Sequence, residues 1–193
     1  PSQPMYRVIS WGPLVDVFLL DGRSHRTTST MFGEVQTSWL IEALGASRAV
    51  WKVIATGQPL GESVRDYDAS RQLSWDTIAN ESGPPAEREV ELARILSGIK
   101  ARAIANVVWI CADVHYGAAT RFDPARAAFK DFLPFWEFIA GPMHARTFPA
   151  NPLDDTFGPE REWISARPRG PAVPSRRRDR ASRSAPRPRT MAS

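Results

Sequence analysis

The sequence predicts an α/β fold, and three observations carry that prediction. Segments rich in β-branched and aromatic residues alternate along residues 1–160 with segments whose apolar residues recur at helical spacing. One strand segment, Asn106-Val107-Val108-Trp109-Ile110-Cys111, is almost continuously apolar, which implies burial on both faces inside a layered sheet. The composition, 42% hydrophobic and 24% charged over 193 residues, suits one folded domain and excludes a collagenous or membrane-embedded chain.

Taken in order, Val15-Asp16-Val17-Phe18-Leu19-Leu20 reads as a strand that ends in a loop at Asp21-Gly22. Glu34 to Ala43 places Val35, Trp39 and Ala43 at helical spacing, with Gly45 as the expected stop. Ala49 to Ala55 is a second strand. Thr56 to Pro85, rich in Gly, Ser, Asp and Pro, is a long surface excursion, and a connection of that length is usually functional or partly ordered by its surroundings. Ala86 to Lys100 predicts an amphipathic helix, with Val90, Ala93, Ile95, Leu96 and Ile99 inward and Glu87, Arg88, Glu91 and Arg94 outward. The strand at 106–111 follows, then another at Phe132 to Ala140, whose Pro134 points to an edge or a bend.

Charge is divided unevenly. Residues 161–193 carry ten arginines against Glu162 and Asp179, so the net charge of +4 conceals a mildly acidic body. With five prolines between Pro168 and Pro188 and self-repelling arginines, 161–193 is expected to be a disordered tail after a folded region at 1–160. No apolar run approaches the ~20 residues of a membrane-spanning helix. The single cysteine, Cys111, excludes an internal disulfide and a cysteine-based zinc site, and its place in the strand makes it a small core residue.

The chemistry concentrates at Asn106 to Gly117, NVVWICADVHYG. The apolar strand runs straight into Asp113 and His115. In extended backbone, residues two apart project to one side, so carboxylate and imidazole face one point outside a strand's carboxyl end. Such a pair suits iron, zinc, manganese or calcium. The same residues also fit a strand-end aspartate bonded into its turn beside an incidental histidine. Asp21, also at a strand end, and Arg23 form a second candidate: Arg23 is able to grip a phosphate or carboxylate, or to pair with Asp21 and shape the loop. His25 reads as a solvated loop residue, and His144 sits at another apparent strand end. Asp154-Asp155 reads as a turn cap, and the tryptophans as core or interface packing. Nucleophilic catalysis finds no G-x-S-x-G elbow, and neither a phosphate loop nor a dinucleotide fingerprint is present.

Read together, VDVFLLDGRSHR, GEVQTSWLIEAL, AVWKVIATGQPL, REVELARILSGIKARAIANVVWICADVHYGAA and AFKDFLPFWEFIAGPMHARTFPANPLDDTFGPE resemble, in order, the PhoD-like alkaline phosphatases, a branch of the calcineurin-like metallophosphoesterases. The resemblance implies a four-layer α/β/β/α sandwich. It implies a strand-end site that hydrolyses phosphate monoesters and diesters with a metal-activated water. It also implies iron together with calcium as cofactors, a periplasmic or extracellular setting, and phosphate esters as substrate. Asp113 and His115 match the family's D-V-H element and carry over as metal-site residues, with His115 placed to assist the leaving group. Asp21 and Arg23 match its D-x-R segment as substrate-side residues. The family's upstream metal ligands have no counterpart in this chain, so the resemblance implies the C-terminal part of a catalytic domain whose site is incomplete alone. The alternative reading is a non-catalytic anion- or nucleic-acid-binding protein acting through the arginine tail.

Overall fold

The structure, a computed structural model, describes residues 4–65, 75–80 and 83–165. Among these the chain order is β1 Arg7–Trp11, β2 Val15–Leu19, α1 Glu34–Ala46, β3 Trp51–Ala55, α2 Arg88–Ala101, β4 Val107–Cys111, β5 Ala118–Phe122, β6 Phe135–Ile139 and β7 Pro159–Ile164. The strands make one sheet in the order β1-β2-β3-β4-β6-β5-β7. Its centre is parallel, β2, β3, β4 and β6. β1 joins antiparallel at one edge, and β5 is antiparallel to both β6 and β7 at the other. The mixed α/β class is as the alternation predicts.

Register explains where the core sits. Phe18, Ile54, Trp109, Glu137, Thr120 and Arg161 lie abreast across six strands, so they share one face of the sheet. The helices cover that face: Leu40, Ile41 and Leu44 of α1 and Leu92, Ile95, Leu96 and Ile99 of α2 pack with Phe18, Ile54, Trp109, Phe122 and Phe135. Each such buried aliphatic or aromatic side chain contributes roughly 1.5–3 kcal/mol. Phe122 and Phe135 stack, ring centroids 4.5 Å apart.

The opposite face carries Trp11, Trp51, Ile110, Trp136, Phe138 and Trp163, all exposed. The expectation that β4 is buried on both faces is therefore corrected: its inner residues Trp109 and Cys111 are buried, but Ile110 is open. The apolar run at 107–111 reflects two apolar faces, only one of which is covered by the described residues. Of the tryptophans expected in the core or at an interface, Trp109 is buried in the core, and Trp11, Trp51 and Trp136 lie on this open face.

Other expectations shift in detail. The buried stripe of α1 is Gln36, Thr37, Leu40, Ile41 and Leu44, and Val35 is 74% exposed, because the i, i+4 row of Leu40 and Leu44 outweighs the row of Val35 and Trp39. Gly45 lies inside the helix, which ends where the Ser47 N–H bonds back to the Ala43 and Leu44 carbonyls. In α2, Val90 is exposed, whereas Arg88 and Glu89 are buried. Arg88 turns inward because its guanidinium satisfies carbonyls of the excursion, Trp75 at 2.5 Å and Thr77 at 3.0 Å, and that of Thr27 at 2.8 Å. β6 is interior, between β4 and β5; Pro134 precedes it and removes no ladder donor.

The boundary drawn at 160/161 is also corrected. Pro159–Ile164 is strand β7, and Arg161, the first residue of the expected tail, is part of the sheet. Residues 166–193, the rest of that expectation, lie outside the described residues, as do 66–74 and 81–82 of the excursion. No helix among the described residues is long and apolar enough to cross a membrane.

Candidate active site at the strand ends

The carboxyl ends of the parallel strands β2, β3 and β4 open into one cleft of about 540 Å³. Its lining includes Asp21, Arg23 and Ser24 after β2, Gly57 and Gln58 after β3, Asp113 after β4, and Arg7 from β1. Three residues singled out in the sequence, Asp21, Arg23 and Asp113, are thus brought to one place from distant segments. That is where ligands gather in sheets of parallel strands.

Asp21 is held rigidly. Its Oδ1 accepts from the N–H of Arg23 at 3.0 Å and of Ser24 at 2.9 Å, closing a turn on itself. The Ser24 contacts hold its carboxyl below the usual range. Behind it, the buried Gln36 of α1 accepts from the Asp21 N–H at 2.7 Å and donates to the Asp21 carbonyl at 3.0 Å. Gly22 sits where a β-carbon would come within 3.3 Å of Gln58 Oε1. The turn-shaping role of Asp21 is therefore present, and Arg23 of the same turn lines the cleft.

Asp113 and His115 depart from the extended backbone that their spacing suggested. Asp113 has φ 76° and His115 φ 62°, both in the left-handed region. The Val114 N–H bonds to the Ala112 carbonyl at 3.0 Å, so Asp113 is the middle of a γ-turn with positive φ, the rare and strained form. Each such residue costs on the order of 1–3 kcal/mol, and such strain concentrates at functional sites. Asp113 is exposed by area, yet the cleft wall desolvates its carboxyl and raises it above the usual range. The Asp76 carboxylate adds to the rise, while Arg23, His115 and Arg26 oppose it. Arg26 is itself paired with Asp76 at 2.5 Å.

His115 belongs to the neighbouring wall rather than to the lining of the cleft. Its Nδ1 is 2.7 Å from the Arg146 carbonyl and its ring stacks on Phe148, centroids 4.7 Å apart. His25 and His144 are exposed. Asp154 caps its turn, accepting from the Thr156 N–H at 2.8 Å.

Beneath the Asp113–His115 loop is a buried polar layer that composition did not reveal. Glu137 on β6 accepts from the Leu60 N–H at 2.7 Å and from the Cys111 thiol at 3.4 Å. Burial, reinforced by the Glu62 carboxylate, pushes Glu137 up to about 7, and burial followed by Glu137 pushes the Cys111 thiol up as well. Cys111 is thus an inert core residue, as its strand position suggests. The alternation of Trp136-Glu137-Phe138 was the available hint: a carboxylate flanked by aromatics in a strand faces opposite to them.

No three carboxylate, imidazole or thiol side chains converge on one point among the described residues. A two-metal centre needs several protein ligands per ion, and the described residues do not gather such a set.

The alkaline phosphatase D of Bacillus subtilis (strain 168) is 29% identical in a match covering 60% of this chain and 22% of that protein. A solved structure described as the structure of PhoD superposes with a TM-score of 0.55 at 22% identity, covering 73% of this chain and 29% of its own, and so shares the fold. The chain therefore spans less than a third of the length of the relatives it matches. The sequence model of the family described as PhoD-like phosphatase matches residues 1–178, and the chain belongs to that family.

Proposed function

We propose that this chain supplies one wall of a phosphoric ester hydrolase site, with Asp113 and His115 as metal-site residues and Asp21 and Arg23 on the substrate side. The observation that carries the reading is the strained turn at 112–115, which delivers Asp113 into the same cleft as Arg23. A carboxylate and a guanidinium on one cleft suit a cation and a phosphoryl group bound side by side. Iron and calcium, activity on both monoesters and diesters, and a periplasmic or extracellular setting belong to this proposal through the family. The described residues bring only part of a two-metal donor set to the cleft. The open apolar face of Trp11, Trp51, Ile110, Trp136, Phe138 and Trp163 suits the four-layer sandwich of the family, since a second sheet packed there completes it.

The competing reading, anion or nucleic-acid binding through the basic stretch, draws no support from the relatives. Its first arginine, Arg161, is committed inside the fold to Glu62.

The test is turnover of a phosphate monoester and a diester at alkaline pH with iron and calcium, beside an Asp113→Ala, His115→Ala double variant. The proposal expects turnover that the double substitution abolishes. Turnover that survives in the variant contradicts the site assignment. None in either protein removes activity from this chain and leaves only its family membership.

A further inference from the structure

We propose that Tyr116 and Glu62 form a positioning pair that holds the strained Asp113–His115 turn in its working shape; the inference rests on the site proposed above. Two residues in left-handed backbone within three positions persist only where the surroundings over-determine them. Ahead of the turn, the loop is tied through main-chain groups: the Ala140 N–H bonds to the Cys111 carbonyl at 2.8 Å, and the Ala112 N–H reaches the Gly57 carbonyl at 3.4 Å. Behind it, the anchor is a polar side chain driven into the core.

Tyr116, immediately after His115, is fully buried, and its hydroxyl donates to Glu62 Oε2. The same hydroxyl accepts from the Asn151 N–H at 2.9 Å and from Asn151 Nδ2 at 3.2 Å. Glu62 is equally buried and is fixed from its other oxygen by the Arg161 guanidinium at 3.1 Å. Arg161 also donates to the Asn151 carbonyl at 3.0 Å. Glu62 and Asn151 thus meet on the phenol oxygen adjoining the turn, and Arg161 closes the network through Glu62 and the Asn151 carbonyl. A buried network with these groups paired favours one geometry, because every alternative leaves a charge or hydroxyl unpaired in low dielectric.

None of these four residues reaches the cleft, so they act through the turn. Tyr116→Phe removes one oxygen and keeps the ring, which separates the clamp from packing. Glu62→Gln keeps an acceptor for the phenol and removes the charge that pairs with Arg161.

The experiment measures three things in the 193-residue chain and both variants: amide hydrogen exchange at Val114, the turn's donor; the thermal midpoint; and phosphate monoester turnover. In Tyr116→Phe, Val114 exchange is expected to quicken roughly tenfold relative to β4 amides. Its kcat should fall about tenfold with KM little changed, since positioning acts on the reacting geometry. In Glu62→Gln, Val114 exchange should stay within about threefold of the parent while the thermal midpoint falls further than in Tyr116→Phe. Unchanged Val114 exchange in Tyr116→Phe, or exchange that simply follows the thermal midpoint across both variants, overturns the pair's positioning role. Absence of turnover in the parent chain counts against the function proposed above, and the exchange data then decide the clamp by themselves.

Discussion

Gln36 and Asp21 are joined by two hydrogen bonds that pair a buried helix amide with a loop backbone. The Asp21 N–H donates to Gln36 Oε1 at 2.7 Å, and Gln36 Nε2 donates to the Asp21 carbonyl at 3.0 Å. A third bond, from Gln36 Nε2 to the Phe32 carbonyl at 2.9 Å, ties the same amide to the entry of α1. The first turn of α1 therefore sets where the Asp21–Ser24 loop stands at the cleft mouth.

Gln36→Ala should accordingly loosen the cleft more than the core. Stranding partly buried backbone groups costs about 1–3 kcal/mol. Chemical denaturation checks that loss, and amide exchange of residues 21–24 should rise well ahead of exchange in β2 and β3.

Asp113→Gly should raise stability while removing the candidate site. Asp113 makes no hydrogen bond that a glycine would lose from its side chain among those found at the turn, and at φ 76° glycine is free of the steric cost an L side chain bears. A gain of about 0.5–1 kcal/mol is expected in denaturant melts. Asp113→Ala, which keeps the strain, should give no such gain.

Burial of Glu137 links stability to pH. Its carboxyl titrates at about 7 in the folded protein against an ordinary 4.5, so the folded state holds the proton more tightly. The stability this contributes is fully present below about pH 4.5 and is lost as pH rises through about 7. Glu89 is pushed up to about 8, chiefly by burial, and acts in the same direction. Glu137→Gln should therefore show a shallower fall in stability between pH 5 and 8 than the parent, by up to a few kcal/mol. An equal slope in both proteins would contradict protonation of Glu137 in the fold.

Arg161→Ala should destabilise strongly, since it leaves the fully buried Glu62 carboxylate without its guanidinium. Breaking such a pair costs roughly 3–5 kcal/mol. Thermal melting is the check, and a loss below about 1 kcal/mol, the range of an exposed pair, would place Arg161 outside the fold.

What the sequence revealed and what it concealed have physical causes. The parallel centre was legible because β2, β3 and β4 are apolar runs, and the candidate site because Asp21 and Asp113 follow two of those runs directly. β5, Ala-Ala-Thr-Arg-Phe, and β7, Pro-Glu-Arg-Glu-Trp-Ile, were not, because their sequences are mixed and their place in the sheet is fixed by pairing. The left-handed turn escaped notice since aspartate and histidine carry no glycine-like marker of positive φ. Glu62 and Arg161 read as separate charges in the sequence; only the fold shows that Glu62 is buried, close to Glu137, and paired with Arg161.

The most direct test of the site is a Mn²⁺ titration of the chain followed by amide line broadening, with Mn²⁺ as the probe of a hard oxygen and imidazole site. The account predicts broadening that begins at residues 113–117 and 21–24 and disappears in Asp113→Ala. Broadening that begins elsewhere, for example at Asp154 and Asp155, or that is indifferent to Asp113, would contradict it.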